Sequence, residues 1–337
     1  MPEPTCATTR PTFRKWSLNW VSMAFSMLII AIAGVTLFQL ARDIEIEKVF
    51  AALDSLDGKK ILVATGFIVA SYVTLSFYDF FALRAIGKGE VPFRIAALAG
   101  FTSYTIGHNL GATVLTGGVI RFRIYSAWDL RVIDVAKIAF VTGLTFWLGN
   151  ASVLGFGMAY APEAASAVNQ VPAWINRLIG LACLTAIGFY LLWLLPCRRV
   201  LGRSDWRIVL PSARLTLLQI GIGVIDLVLV GSAMYALLPA APTIDFIPLL
   251  VIFVFAALLG FLSHAPGSLG VIEAAMLLGL RQFQKEDLLA SLLMFRFLYF
   301  VIPLFIAATI LGLREFWVGM KPSGDRVGFD ERRPPVP

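Results

Sequence analysis

Between Trp16 and Leu313 the chain carries eight long apolar stretches, and this pattern limits the fold more than any other feature. Lipid offers no partner to backbone N–H and C=O groups, so a chain crosses it as helices or as a closed barrel. A helix needs about 20 apolar residues to span a hydrocarbon core about 30 Å thick. Six stretches read as full spans: 17–41, 61–83, 137–160, 175–195, 212–238 and 287–313. Two more, 95–120 and 246–280, are apolar but interrupted. The alternation of a barrel strand is absent. With 58% hydrophobic and 15% charged residues, the chain departs from soluble domains, which have about 25% charged residues. The expected class is an all-α polytopic membrane protein.

The net charge of +7 does not imply nucleic acid, because basic loops in such a protein report topology and anionic lipid. Cys6, Cys183 and Cys197 are scattered without metal-ligand spacing, so neither a disulfide framework nor a metal site is expected. Arg10, Arg14 and Lys15 ahead of an apolar run resemble a signal peptide. The run continues to about Ala41, longer than such a core, and reads as an uncleaved first span.

The positive-inside rule discriminates between two topologies. If both interrupted stretches cross, Lys and Arg fall almost evenly on the two sides. If both dip in and return, twenty of the 28 lie on the side of the N-terminus and seven on the other, with Arg296 inside a span. The re-entrant topology follows, with both termini cytoplasmic. It gives a cytoplasmic tail 1–16, a first half 17–160 with re-entrant 95–120, a second half 161–313 with re-entrant 246–280, and a disordered tail 314–337. Each half then has three true crossings, so the second is inverted relative to the first, an arrangement common in transporters. Sequence echoes are thin: "TGGVIR" (Thr116–Arg121) resembles "SLGVIE" (Ser268–Glu273), and His108 and His264 fall one in each broken segment. In 43–57, apolar residues at helical spacing among charges predict an interfacial helix.

The interrupted segments concentrate the candidate chemistry. "SHAPGSLGVIE" places Pro266, Gly267 and Gly270 where a helix should continue, and "GHNLGATVLTGG" contains His108, Asn109, Gly117 and Gly118. Such breaks are tolerated at membrane depth only where protein or a wet cavity satisfies the freed backbone groups. A helix restarting at Gly270, and its counterpart at Gly117–Gly118, would direct N–H groups and a positive dipole end at an anion such as phosphate. The alternative is a tight hairpin turn whose small residues serve packing. Asp226 and Arg296 lie inside spans, Glu273 follows one break, and Arg121 occupies the matching place in the other half. Intramembrane charges default to functional candidates. Either they form an ion pair locking the two halves, with Glu273 or Asp226 neutralising Arg296, or the arginines hold a lipid phosphate while Glu273 and Asp226 meet a positive head group or a proton. His108 and His264 are too few for a metal and read as buried or capping histidines, or as a proton relay. No cofactor motif, nucleophile constellation or phosphate loop is present in the sequence.

"SYTIGHNLGATVLTGGVIRFRIYSAWDL", "SHAPGSLGVIEAAML" and "FRFLYFVIP" resemble signatures of the lysylphosphatidylglycerol synthase transmembrane-region family, which includes the flippase part of the multiple peptide resistance factor. The resemblance runs from the first span to about Leu313. It implies a lipid translocator of the bacterial inner membrane, whose relatives move aminoacylated phosphatidylglycerol outward and so resist cationic peptides. The family's Pro-Gly-Gly-x-Gly-x-x-Glu pattern falls on Pro266, Gly267, Gly270 and Glu273, with Ser268 replacing the second glycine. Its other glycine turn and arginine fall on Gly117, Gly118 and Arg121, and its later arginine on Arg296. The bifunctional relatives add further spans and a cytosolic aminoacyltransferase domain, for which this chain has no room. The expectation is a lipid flippase without enzymatic activity whose partner is membrane phospholipid. Its competitors are an accessory protein to a lipid-biosynthesis enzyme (hopanoid or glycolipid) and an integral-membrane head-group enzyme.

Overall fold

The computed structural model describes residues 46–54, 56–111, 113–195, 200–201 and 208–319. The expected first span, 17–41, and the tail beyond 319 lie outside them. The described chain is helical apart from a two-residue antiparallel ladder, β1 (Val200–Leu201) with β2 (Ile208–Val209). The helices are α1 (Ile46–Asp54), α2 (Gly58–Ala85), α3 (Phe93–Leu110), α4 (Thr113–Tyr125), α5 (Val132–Tyr160), α6 (Pro162–Asn169) and α7 (Ala173–Leu194). Then come α8 (Ala213–Leu237), α9 (Phe246–Ser263), α10 (Val271–Gly279), α11 (Lys285–Arg296) and α12 (Ile302–Gly319). A π-turn, Phe297–Val301, joins α11 to α12 into one rod. Six described helices are long and apolar enough to cross a membrane: α2, α5, α7, α8, α9 and the α11–α12 rod. The protein is an all-α polytopic membrane protein.

Polar caps fix where several helices begin. Asp57 accepts from Lys59 N (2.9 Å) at the start of α2, and Ser212 Oγ accepts from Leu215 N at the start of α8. Asp134 accepts from Arg131 N (3.0 Å) at the start of α5. Each meets an N–H that the first turn leaves without an intrahelical partner. The last helix continues to Gly319, six residues beyond the expected boundary at 313. No proline interrupts Leu313–Gly319, and the first to follow is Pro322.

Helices α3 and α4 fold back on each other as a hairpin, and so do α9 and α10. At 18 and 13 residues, and at 18 and nine, the arms measure about 27, 20, 27 and 14 Å at 1.5 Å per residue. Both ends of the first hairpin lie beside the C-terminal end of α2. Phe93 packs on Phe77 and Phe80, and Tyr125 reaches Asp79. Both ends of the second lie at the opposite end of the bundle, where Phe246 packs on Tyr235 and Gly279 abuts Ile252 and Val168. Helix α9 is therefore long enough to cross but is one arm of a hairpin. The hairpin tips meet: a Cβ on Gly111 would stand 2.8 Å from the carbonyl oxygen of His264. Cysteines introduced at Gly89 and Asp129 should label from one membrane face and those at Asp245 and Arg281 from the other, as read by impermeant maleimide in intact cells. Labelling of Gly89 and Asp129 from opposite faces would contradict the hairpin.

The halves meet chiefly along α2 and α8, which run antiparallel, with Lys60 Nζ donating to Leu238 O (2.7 Å) at one end. Helices α5 and α8 cross so closely that a Cβ on Gly149 would lie 2.8 Å from Gly223 Cα, a space only glycine leaves open. One buried apolar cluster lies where α2, α5, α8, α9, α10 and the rod converge, with Val153, Met234, Leu249, Met276 and Leu292 among its members. A second, with Leu83, Tyr125 and Ile138, fills the end where α2 finishes and α5 begins. Helix α7 packs on α5 through Gly155 and Gly180 and leaves Trp174, Leu178, Leu181 and Phe189 exposed, the surface expected of a helix facing lipid.

Candidate functional site between the hairpin tips

The expected site residues separate into three places. In the first half, Arg121 on α4 grips Asp79 on α2. Nε donates to Oδ1 and Oδ2 (3.1 and 3.0 Å), Nη2 donates to Oδ1 (2.8 Å), and the Tyr125 hydroxyl donates to Oδ2 (2.8 Å). Asp79 is fully buried. In the second half, the Arg296 guanidinium donates through Nε (2.9 Å) and Nη2 to Glu273 Oε1, and through Nη1 to Gly267 O (2.7 Å). The other oxygen of Glu273 accepts from Gly270 N (2.8 Å). The first turn of α10 is thus capped by the chain's own carboxylate, a self-supplied anion of the kind this helix end attracts.

Two expectations are corrected by this geometry, and one open alternative is decided by it. The ion pairs do not lock the halves together. Each lies within one half and ties the return arm of a hairpin to a neighbouring span. Of the two carboxylates expected to neutralise Arg296, Glu273 is the one that does so. And the first hairpin does not break at Gly117–Gly118. It turns at Gly111, whose φ of +76° is the left-handed conformation that favours glycine. Gly117 and Gly118 sit inside α4. Gly117 lets α4 approach α3, since a Cβ there would lie 3.2 Å from Ser103 O, while Gly118 faces open space.

Asn109 serves the contact between halves. Its Nδ2 donates to Thr105 O (2.8 Å) and to Phe300 O (3.3 Å) on the rod. Beside it, Pro303 lacks the N–H that Tyr299 O would accept in a regular α-helix. Tyr72 Oη donates to that carbonyl instead (2.8 Å). The π-turn after Arg296 thus has its freed backbone groups met from α2 and α3. Such turns recur at functional sites.

The third place is a cavity of about 220 Å³ beside the meeting point of the tips. Phe146, Leu227, Val230, Phe253, Phe261 and Phe295 supply its apolar wall, and Tyr104, His108, Asn150, Asp226, His264 and Ser268 its polar groups. Leu115, 73% exposed, and His264, also exposed, belong to its lining, so it reaches the surface. The His108 ring stands edge-on to Tyr104 with centroids 4.4 Å apart. His264 is the left-handed residue ending α9 (φ 54°). Asp226, 7% exposed, accepts from Ser71 Oγ across the seam (2.5 Å) and has no ion-pair partner among the described residues. Of the charges singled out in the sequence, Asp226 alone lines the cavity. Among the described residues no group of three His, Cys, Asp or Glu is placed to hold a metal. Asp79, Tyr125 and Ser71 were not among the expected site residues. An aspartate within the α2 stretch was the one available signal for the first.

Fold and cavity together define a multi-pass helical membrane protein with two inward-turned hairpins around an amphipathic pocket. Among known proteins, the chain is similar to the protein slr0712 of Synechocystis sp., at 28% identity over 80% of this chain and 84% of that protein. It is also similar to the inner membrane protein YbhN of Escherichia coli, at 27% identity over 87% of this chain and 91% of that protein. A shorter segment, 28% of this chain, is 38% identical to 11% of the phosphatidylglycerol lysyltransferase of Staphylococcus haemolyticus. No family model matches the chain.

Proposed function

We propose that this protein translocates a phospholipid between the leaflets of a bacterial inner membrane, with aminoacyl-phosphatidylglycerol a candidate cargo, and that it converts no substrate chemically. The observation that carries this reading is the cavity. It combines an apolar wall with a few polar groups, lies where two hairpin tips meet, and reaches the surface. In this reading a head group enters the polar part while acyl chains stay in lipid. The likeness to an inner membrane protein and to a segment of a phosphatidylglycerol-modifying enzyme supports membership of the lysylphosphatidylglycerol synthase transmembrane-region family.

Mechanistically, each half carries its own charged clamp, Asp79–Arg121 or Glu273–Arg296, which holds a hairpin to its own half. Across the seam, the side-chain hydrogen bonds include Ser71–Asp226, Tyr72–Tyr299 O, Asn109–Phe300 O and Gln219–Thr145, with no ion pair between the halves among the described residues. Buried ion pairs cost several kcal/mol to break, single neutral hydrogen bonds about 1. In this reading the halves rock as units, with the seam's hydrogen bonds and shared apolar packing rearranging as the cavity is exposed to one side and then the other. The test uses purified protein in liposomes containing fluorescent phosphatidylglycerol or its lysyl ester, with an impermeant reductant reading the outer leaflet. The expected result is faster loss of inner-leaflet label than in protein-free liposomes, with unchanged lipid by mass spectrometry. A new lipid species would instead mark an enzyme. Intact lipid with no movement would favour an accessory role.

A further inference from the structure

Asp226 is used by neither clamp. It is a carboxylate buried at the seam, lining the cavity, and no cation stands against it among the described residues. Burying an uncompensated carboxylate is costly enough that the group takes up a proton or another cation instead. Its hydrogen-bond neighbours select between these. Ser71 donates one hydroxyl to the carboxylate, Tyr104 and Tyr299 line the same cavity, and the nearby wall is phenylalanine and leucine. Sodium would require a shell of oxygen ligands, as hard cations do. The Ser71, Tyr104 and Tyr299 hydroxyls in an otherwise largely apolar lining supply few oxygens for such a shell, whereas a proton needs only the carboxylate itself.

A second observation lies along α8 itself. Thr216, Gln219 and Asp226 recur at helical spacing on one buried face, with Gly223 packed on Gly149 between the last two. Thr216 Oγ1 and Gln219 Oε1 are buried with no hydrogen-bond partner among the described residues, although Gln219 Nε2 does donate to Thr145 Oγ1 (2.9 Å). Unmet buried oxygens are rare and call for water, so this face of α8 has polar sites for water between its start and the close contact at Gly223.

We infer that Asp226 is a proton-carrying site coupling the rocking of the halves to the transmembrane proton gradient. This rests on the lipid-translocation reading for its consequence but not for its chemistry. One proton adds to a carboxylate oxygen of Asp226 when the cavity faces the proton-rich side and leaves when it faces the other. No bond but O–H forms or breaks. The other titratable side chains facing this volume are Tyr104, Tyr299, His108 and His264, and Tyr78 stands beside the carboxylate on α2. The readout must therefore be specific for a carboxyl group.

Two arms test it. In the first, infrared difference spectra of the purified protein between alkaline and acidic buffer should show a carboxylic-acid carbonyl band that Asp226→Asn removes and Asp226→Glu returns at a shifted frequency. Identical bands in wild type and Asp226→Asn would overturn the proposal, whether or not lipid moves. In the second, with one proton per lipid, a gradient of one pH unit should shift the steady-state leaflet ratio about tenfold. Asp226→Asn should leave it independent of the gradient. A ratio that follows a sodium gradient and ignores pH would also overturn the proton site. If lipid equilibrates but ignores pH and the band is missing, the proton site falls and lipid translocation stands. If the band is present and no lipid moves, the reverse holds.

Discussion

Asp79→Ala is expected to lose about 3–5 kcal/mol of stability, the usual cost of stripping one partner from a buried ion pair. Membrane proteins are no exception in sign, because the orphaned Arg121 is left without its carboxylate beneath the surface of α4 and cannot be rehydrated cheaply. The loss includes the Tyr125 hydrogen bond to the same carboxylate. The first hairpin would then detach from α2. Thermal unfolding in detergent, followed by fluorescence of a thiol dye at Cys183, should show a clear fall in midpoint, with poor accumulation in membranes. The double variant Asp79→Leu/Arg121→Met should recover most of the stability, since well-packed apolar pairs match or exceed buried ion pairs. If the two single variants and the double were equally unstable, the charges would be acting through something other than each other.

Gly111→Val should have the second large effect, on activity more than on overall fold. A β-branched residue at φ +76° is strained by about 1–2 kcal/mol, and its Cβ would stand 2.8 Å from the carbonyl oxygen of His264. The tips would be forced apart at the edge of the cavity. Lipid movement should drop at least about tenfold, the equivalent of roughly 1.4 kcal/mol on the rate-limiting barrier, while helix content by circular dichroism stays within a few per cent of wild type. Gly118→Ala is the matched control, because that position faces open space and a Cβ there meets nothing within 4 Å. A full loss of movement in Gly118→Ala would show that glycine content, not tip contact, governs the rate.

Much of the fold was legible because length, hydropathy and the distribution of Lys and Arg each report on a chain's relation to lipid without reference to tertiary contacts. The stretches 61–83, 137–160, 175–195 and 212–238 each fall on a described helix. The interrupted segments fall on hairpins for the physical reason first given: helix breakers at membrane depth must sit against protein. The exact break in the first segment was not legible. Two adjacent glycines at 117–118 are more conspicuous than one at 111, yet a helix tolerates both when neighbours pack closely, and only φ at Gly111 reveals the turn. Pairing was the least legible level. Arg121 and Asp79 are 42 positions apart and Asp226 and Ser71 are 155 apart, and no local periodicity links them. The consequence is substantive: the arginines expected to hold phosphate already hold carboxylates, and the cavity's charge is an acid.

Translocation by this route requires relative motion of the two halves across a seam of hydrogen bonds and apolar packing. In a background with Cys6, Cys183 and Cys197 replaced by serine, Lys60→Cys/Pro239→Cys places one thiol on each half, both partly exposed around one pocket at the end of the seam. Lipid translocation in proteoliposomes is then measured before cross-linking, after a short cleavable bis-thiol reagent, and after cleavage. The account predicts movement, then arrest, then recovery. Unchanged movement with the halves linked would contradict it.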